Sequence, residues 1–144
     1  MFKKEFRVTS LADLAQLADV LYRYLKPSLF LLFQGPLGAG KTTLIQMLAR
    51  RLGIQQTVNS PTFLLFRRYC VRKDYYLNHF DFFRLTPSDN LEAFKEYTEA
   101  NLNLIEWPEH NPQFWQDHPH IYLIFQLVIL GSSEQRLIRL SAKD

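Results

Sequence analysis

Leu29-Phe30-Leu31-Leu32-Phe33-Gln34 followed by Gly35-Pro36-Leu37-Gly38-Ala39-Gly40-Lys41-Thr42-Thr43 is the stretch on which the reading of this chain turns. The first six residues form a short apolar run, the pattern of a strand buried on both faces. From Gly35 the sequence fits G-x-x-x-x-G-K-[ST], a phosphate-binding loop. After it, Leu44, Ile45, Leu48, Ala49 and Leu52 recur at helical spacing and stop at Gly53, a helix end. Strand, glycine loop and helix thus follow in the order that phosphate binding requires. Gly35, Gly38 and Gly40 would let successive N–H groups approach phosphate oxygens, with Pro36, Leu37 and Ala39 completing the loop. The helix N-terminus adds partial positive charge. Lys41 would reach the β- and γ-phosphates of a nucleotide, Thr42 would ligate Mg²⁺, and Thr43 would bond an α-phosphate oxygen.

Working outward, 144 residues with 47% apolar content fit one domain, residues 1–144, with a sizeable core. That length leaves little room for the lid and substrate domains of many kinases. A net charge of +3 is compatible with a polyanionic partner without requiring one. Cys70 is the sole cysteine, so no intramolecular disulfide can form. The N-terminus lacks a signal-like apolar run, and the stretch from Ile121 to Leu130 is too short to span a bilayer as a helix. The expectation is a soluble, cytoplasmic protein with no membrane association.

Before the loop, Phe2 to Val8 reads as a strand. Ser10 reads as an N-cap with Asp13 in a capping-box-like position. Leu11, Leu14, Ala15, Ala18, Leu21, Tyr22 and Leu25 make one helical face, closed by Pro27; its start is placed near the nucleotide base. Beyond the loop helix, Ser60 and Thr62 of Ser60-Pro61-Thr62-Phe63 offer hydroxyls either to a γ-phosphate and its metal or to a simple turn. Phe63 to Cys70 and Tyr75 to Phe83 read as an antiparallel hairpin around Val71-Arg72-Lys73-Asp74.

Alternation puts His79, Asp81 and Phe83 on one face of the second of these strands. Asp81 is a candidate to orient Mg²⁺ or the attacking water, or else a partner for Arg84; His79 is read as structural. Thr86 to Asn101 is expected at the surface, with Ser88 and Asp89 as helix-start residues. Leu102-Asn103-Leu104-Ile105-Glu106 is a short apolar strand ending in an acid, the arrangement in which a carboxylate ligates Mg²⁺, although a plain strand-end charge has the same pattern. Trp107-Pro108 follows as a rigid turn near the site. Ile121 to Leu130 and Gln135 to Leu140 read as closing strands joined by Gly131 to Glu134. Arg136 either stays in solvent or approaches the nucleotide.

Four landmarks therefore stand in order: GPLGAGKTT at 35–43, SPTF at 60–63, HFDFFR at 79–84 and LIEWPE at 104–109. Together they resemble the TsaE (YjeE) family. The resemblance implies an α/β, P-loop NTPase-like three-layer fold with a mixed parallel and antiparallel sheet. It also implies a weak, Mg²⁺-dependent ATPase required for threonylcarbamoyladenosine (t6A) modification of tRNA at position 37. Such a protein would act with TsaD and TsaB rather than perform the transfer, and would meet tRNA through that complex. By resemblance, Lys41, Glu106 and Asp81 carry the catalysis. Lys41 and Thr43 take phosphates, Thr42 and Glu106 take Mg²⁺, Ser60 to Phe63 form a switch-like loop, and Trp107 lies beside the nucleotide. Pro36 stands where the family usually has an acid, the interval from Arg84 to Glu106 is short, and no threonine near Leu14 matches the family's N-terminal one. The alternative reading is a small-molecule kinase, against which stands the lack of an arginine-rich lid. Arg67, Arg68, Arg72 and Lys73 form a basic cluster that either contacts a partner or tRNA or is simply solvated.

Overall fold

The apolar run before the glycine loop becomes strand β2, Phe30–Gln34, and lies at the centre of a seven-stranded sheet. Because successive side chains of a strand point to opposite faces, four consecutive apolar residues require cover on both sides. Phe30 to Phe33 are indeed all fully buried. The computed structural model describes residues 2–59 and 64–144.

In chain order the elements are β1 (Phe2–Val8), α1 (Leu11–Tyr22), β2, α2 (Lys41–Arg51), β3 (Phe66–Arg72), β4 (Tyr75–Asp81), α3 (Lys95–Thr98), β5 (Leu102–Glu106), β6 (His120–Leu130) and β7 (Ser133–Lys143). Short 3₁₀ turns precede α3 and follow β5. The strand order is β1-β7-β6-β2-β5-β4-β3. Strands β6, β2, β5 and β4 run parallel, and the pairs β1/β7, β6/β7 and β3/β4 are antiparallel. The sheet is thus mixed, as the resemblance implied.

One face packs Leu31, Phe33, Leu77, Leu104, Leu123 and Phe125 against Leu14, Leu17, Ala18 and Leu21 of α1 and Leu44, Ile45 and Leu48 of α2. The other gathers Phe30, Leu32, Phe80, Phe82, Ile105, Phe114 and Trp115 beneath the 3₁₀ turns. Phe114 meets Phe80 and Phe82 at 5.4 and 5.6 Å in edge-to-face geometry, the arrangement favoured by the ring quadrupole. The third layer is thinner than the expected helix layer because α3 has a single turn. Its end is held by buried amides: Asn78 Nδ2 donates to Asn103 Oδ1 and to the Tyr97 carbonyl, and Asn103 Nδ2 to the Thr98 carbonyl.

Several boundaries differ from the sequence reading. Helix α1 stops at Tyr22, so Leu25 packs on the core from outside it. Strand β4 ends at Asp81, which leaves Phe83 exposed rather than in register with His79. Ser88 and Asp89 do not start a helix; Asp89 instead accepts from the Thr86 N–H in a turn, and helical geometry begins at Glu92. The last hairpin closes through Gly131-Ser132 alone, with Gly131 at φ 62°, and its strands are longer than expected. Phe63, expected to open the third strand, lies outside the described residues.

Candidate functional site

The strand-loop-helix unit folds as its sequence dictates. Gly40, at φ 102°, is the N-cap of α2 and has no side-chain cap, while Gly38 sits at φ 78°. The first N–H groups of a helix have no intrahelical partner, so α2 presents them to whatever lies in the loop. Leu37 to Thr43 line a cavity of about 580 Å³, the size of a small-molecule site. Gly35 meets a packing requirement that the motif does not express. A Cβ there would lie 2.7 Å from Phe125 Cβ and 2.8 Å from the Phe125 carbonyl oxygen, so it is the close passage of β6 that requires glycine. Pro36 is exposed behind the loop.

Lys41 is buried, its Nζ donating to the Gly35 carbonyl and standing 4.2 Å from the centre of the Trp107 ring. Burial pushes its ammonium below the ordinary lysine value, while the carboxylates of Glu106, Glu109 and Asp81 pull it back up. Thr42 and Thr43 are half-buried on the cavity wall.

The parallel register supplies the acids. Asp81 at the end of β4 pairs with Glu106 at the end of β5, and Glu106 pairs with Phe33, one residue before the end of β2. Both carboxylates therefore stand on the cavity side at the carboxyl ends of neighbouring strands, where ligands of open α/β sheets bind. Asp81 Oδ1 accepts from the Phe83 N–H at 2.9 Å. Glu106 is buried, and its Oε2 lies 2.8 Å from Nε2 of the fully buried His79.

Trp107 adopts φ 57°, a left-handed conformation unusual for a bulky residue. Its backbone N–H donates to the Phe33 carbonyl, Phe83 meets the indole edge-to-face at 5.1 Å, and His110 lies beside it tilted at 5.4 Å. That brace keeps the ring against Lys41.

A second end of the cavity was not foreseen in full. Val8, Thr9, Ser10, Leu11 and Leu14 at the β1–α1 junction face Arg136 and Ile138 of β7. The sequence reading sets the start of α1 near the base, no local motif marks Val8, Thr9, Leu14 or Ile138 as site residues, and a threonine, Thr9, does line this end. The capping signal was slightly displaced. Ser10 Oγ accepts from the Asp13 N–H, but the Asp13 carboxylate reaches back to the N–H and hydroxyl of Thr9. Arg136 approaches the loop, its Nη2 donating to the Gly38 carbonyl at 3.0 Å while pairing with Glu134.

The donor set suits a nucleotide-bound hard cation. A threonine hydroxyl and one or two carboxylates beside a phosphate cradle are the oxygen ligands with which proteins hold Mg²⁺ on phosphates. Among the described residues no group of three or more His, Cys, Asp and Glu side chains is arranged to hold a metal ion by itself. Ser60 and Thr62 lie outside the described residues. The basic cluster is partly committed: Arg68 donates to Asn78 Oδ1 and stacks on Tyr76 at 4.2 Å, and Arg72 covers Tyr75 at 4.6 Å. Among the described residues no helix is long and apolar enough to cross a membrane.

Residues 8–136 match the family model described as threonylcarbamoyl adenosine biosynthesis protein TsaE. The chain is 33% identical over 136 residues to the tRNA threonylcarbamoyladenosine biosynthesis protein TsaE of Aquifex aeolicus, covering 93% of each. It is 41% identical over 88 residues to the Nostoc protein of the same name, where the match spans 57% of this chain and only 54% of the relative. In fold it is similar to the crystal structure of Bacillus subtilis YdiB, with a TM-score of 0.72 over 98% of this chain and 86% of that one at 22% identity. The family match runs from Val8 to Arg136, residues that sit together at the far end of the cavity, and the chain belongs to the TsaE family.

Proposed function

We propose that this chain is a Mg²⁺-dependent ATP-binding and ATP-hydrolysing accessory protein of t6A biosynthesis on tRNA, acting with TsaD and TsaB. The observation that carries the reading is the pairing of Asp81 with Glu106 at adjacent strand ends facing the phosphate loop in one cavity. In this reading the N–H groups of the loop and of α2 cradle the phosphates. Lys41 leaves the Gly35 carbonyl to neutralise β- and γ-phosphate charge. Thr42 and Glu106 would hold Mg²⁺, and Thr43 would take an α-phosphate oxygen. Mg²⁺, when bound, would supply positive charge that offsets the negative charge building on the phosphates in transfer. Asp81 orients the attacking water. The slot between Val8, Leu11, Leu14 and Ile138 takes the nucleoside, with Arg136 over the rim. Trp107 closes the opposite wall, and Ser60 and Thr62 sense the γ-phosphate.

Family membership supports the tRNA modification pathway, TsaD and TsaB are proposed as the partners within it, and in this reading the chain is not itself the transferase. Phosphate release from ATP, measured alone and with TsaD, TsaB and tRNA, tests the proposal. Release stimulated by the partners and abolished in Lys41→Ala and Glu106→Ala is the expected result. ATP bound tightly with no phosphate released in any mixture would overturn hydrolysis. ADP accumulating with a phosphorylated small molecule would make the chain a kinase instead.

A further inference from the structure

His79 is completely buried in β4, yet only one of its nitrogens has work to do. Nε2 lies 2.8 Å from Glu106 Oε2, and Nδ1 is buried with no hydrogen-bond partner among the described residues. Burying a polar atom without a partner is unfavourable, so an aliphatic or phenyl side chain would serve packing alone better. The orphan also fixes the tautomer. A proton on Nδ1 would leave a donor unsatisfied and turn the Nε2 lone pair towards a carboxylate oxygen; a proton on Nε2 donates to Glu106. We propose that His79 is a positioning residue, whose Nε2–H fixes the plane of the Glu106 carboxylate so that it meets the nucleotide-bound cation in one orientation. This rests on the reading of Glu106 as a metal ligand. Ligating carboxylates are themselves hydrogen-bonded, and loss of such a second partner typically costs 10–100-fold in metal affinity. Register makes the support rigid: β4 and β5 hold the two residues on paired parallel strands, not on a loop.

The test is Mn²⁺ titration, followed by electron paramagnetic resonance, into protein loaded with a non-hydrolysable ATP analogue. Analogue affinity in EDTA is measured beside it. His79→Phe is expected to weaken Mn²⁺ binding about tenfold or more while changing the EDTA affinity by less than about twofold. His79→Gln, whose amide nitrogen stands near the place of Nε2, is expected to recover most of the loss. His79→Asn, whose amide falls short of Glu106, is expected to behave like Phe and serves if the Phe variant does not fold. Equal behaviour of Gln and Asn, or a fall in Mn²⁺ and EDTA affinities together, would make His79 merely structural and overturn the proposal. Glu106→Gln separates the two readings. If it weakens Mn²⁺ binding while the His79 variants do not, only the role of His79 fails; if Glu106→Gln leaves Mn²⁺ binding intact, the metal-ligand reading of Glu106 fails as well.

Discussion

The two ends of the cavity are built by opposite means. At the phosphate end, Lys41, Asp81 and Glu106 stand at the tips of central elements, with Glu106 and Lys41 buried and braced by His79 and Trp107. At the other end, Thr9, Leu11 and Arg136 are brought together by the β1/β7 pairing at the sheet edge, where Val8 faces Arg136. Leu11 is 70% exposed and Arg136 is tied by one bond to the Gly38 carbonyl. In the proposed function this contrast sets the phosphate chemistry in the rigid interior and leaves the nucleoside to an assembled rim, since sites on regular elements hold geometry better than sites on loops.

The strongest way to break this contrast is at the seam between the interior and the edge hairpin. Gly35→Ala would force a Cβ within 2.7 Å of Phe125. The loss of stability is expected to be about 3 kcal/mol, a fall in melting temperature near ~10 °C. Calorimetry checks it; an unchanged melting temperature would show that β6 yields and that the seam is soft.

A smaller effect should follow at the rim. Arg136→Ala removes the bond to Gly38 and is expected to weaken ATP binding about three- to tenfold, with melting temperature unchanged within about 1 °C. Affinity lost in equal measure for inorganic triphosphate would move Arg136 from the nucleoside end to the phosphate end.

The smallest effect concerns Asp13. Its carboxyl is held below the usual aspartate value, first by the Thr9 N–H and then by the Thr9 hydroxyl. Its stabilisation is therefore complete above the unfolded value near 3.8 and is lost as pH falls through the lower folded value. Asp13→Asn should melt about 1–2 °C lower at neutral pH, and the gap should close in acid. Melting curves from neutral pH down into acid decide it, and a gap that does not narrow as pH falls would assign the effect to something other than the carboxylate.

Legibility in the sequence follows the same division. The phosphate loop, the buried strand before it and the helix after it are contiguous, so local pattern suffices. Glu106 was readable as a strand-end acid and Asp81 as a carboxylate inside a strand expected to run to Phe83, but their adjacency depends on the β4/β5 register, which no short motif encodes. Thr9 carried a signal in the Thr9-Ser10 and Asp13 spacing, which marks a helix start and gives no hint of a cavity wall. Its opposite wall, Ile138, lies at the other end of the chain. The packing reason for Gly35 was not legible because its neighbour Phe125 is distant in sequence and near in space.

The last hairpin has one further consequence, visible in exchange kinetics. Strand β6 has β2 beside it as far as Ile124, and β7 has β1 beside it as far as Arg136, so Val128 to Leu130 and Ser133 to Gln135 pair only with each other. A two-stranded ribbon standing alone opens at little cost. Amide protons should therefore trade with solvent quickly at the ribbon tip and slowly up to Phe125, with the step falling where Gly35 abuts the strand. The phosphate loop sits on the slow side of that step, and the exposed Ile129 and Leu130 on the fast side.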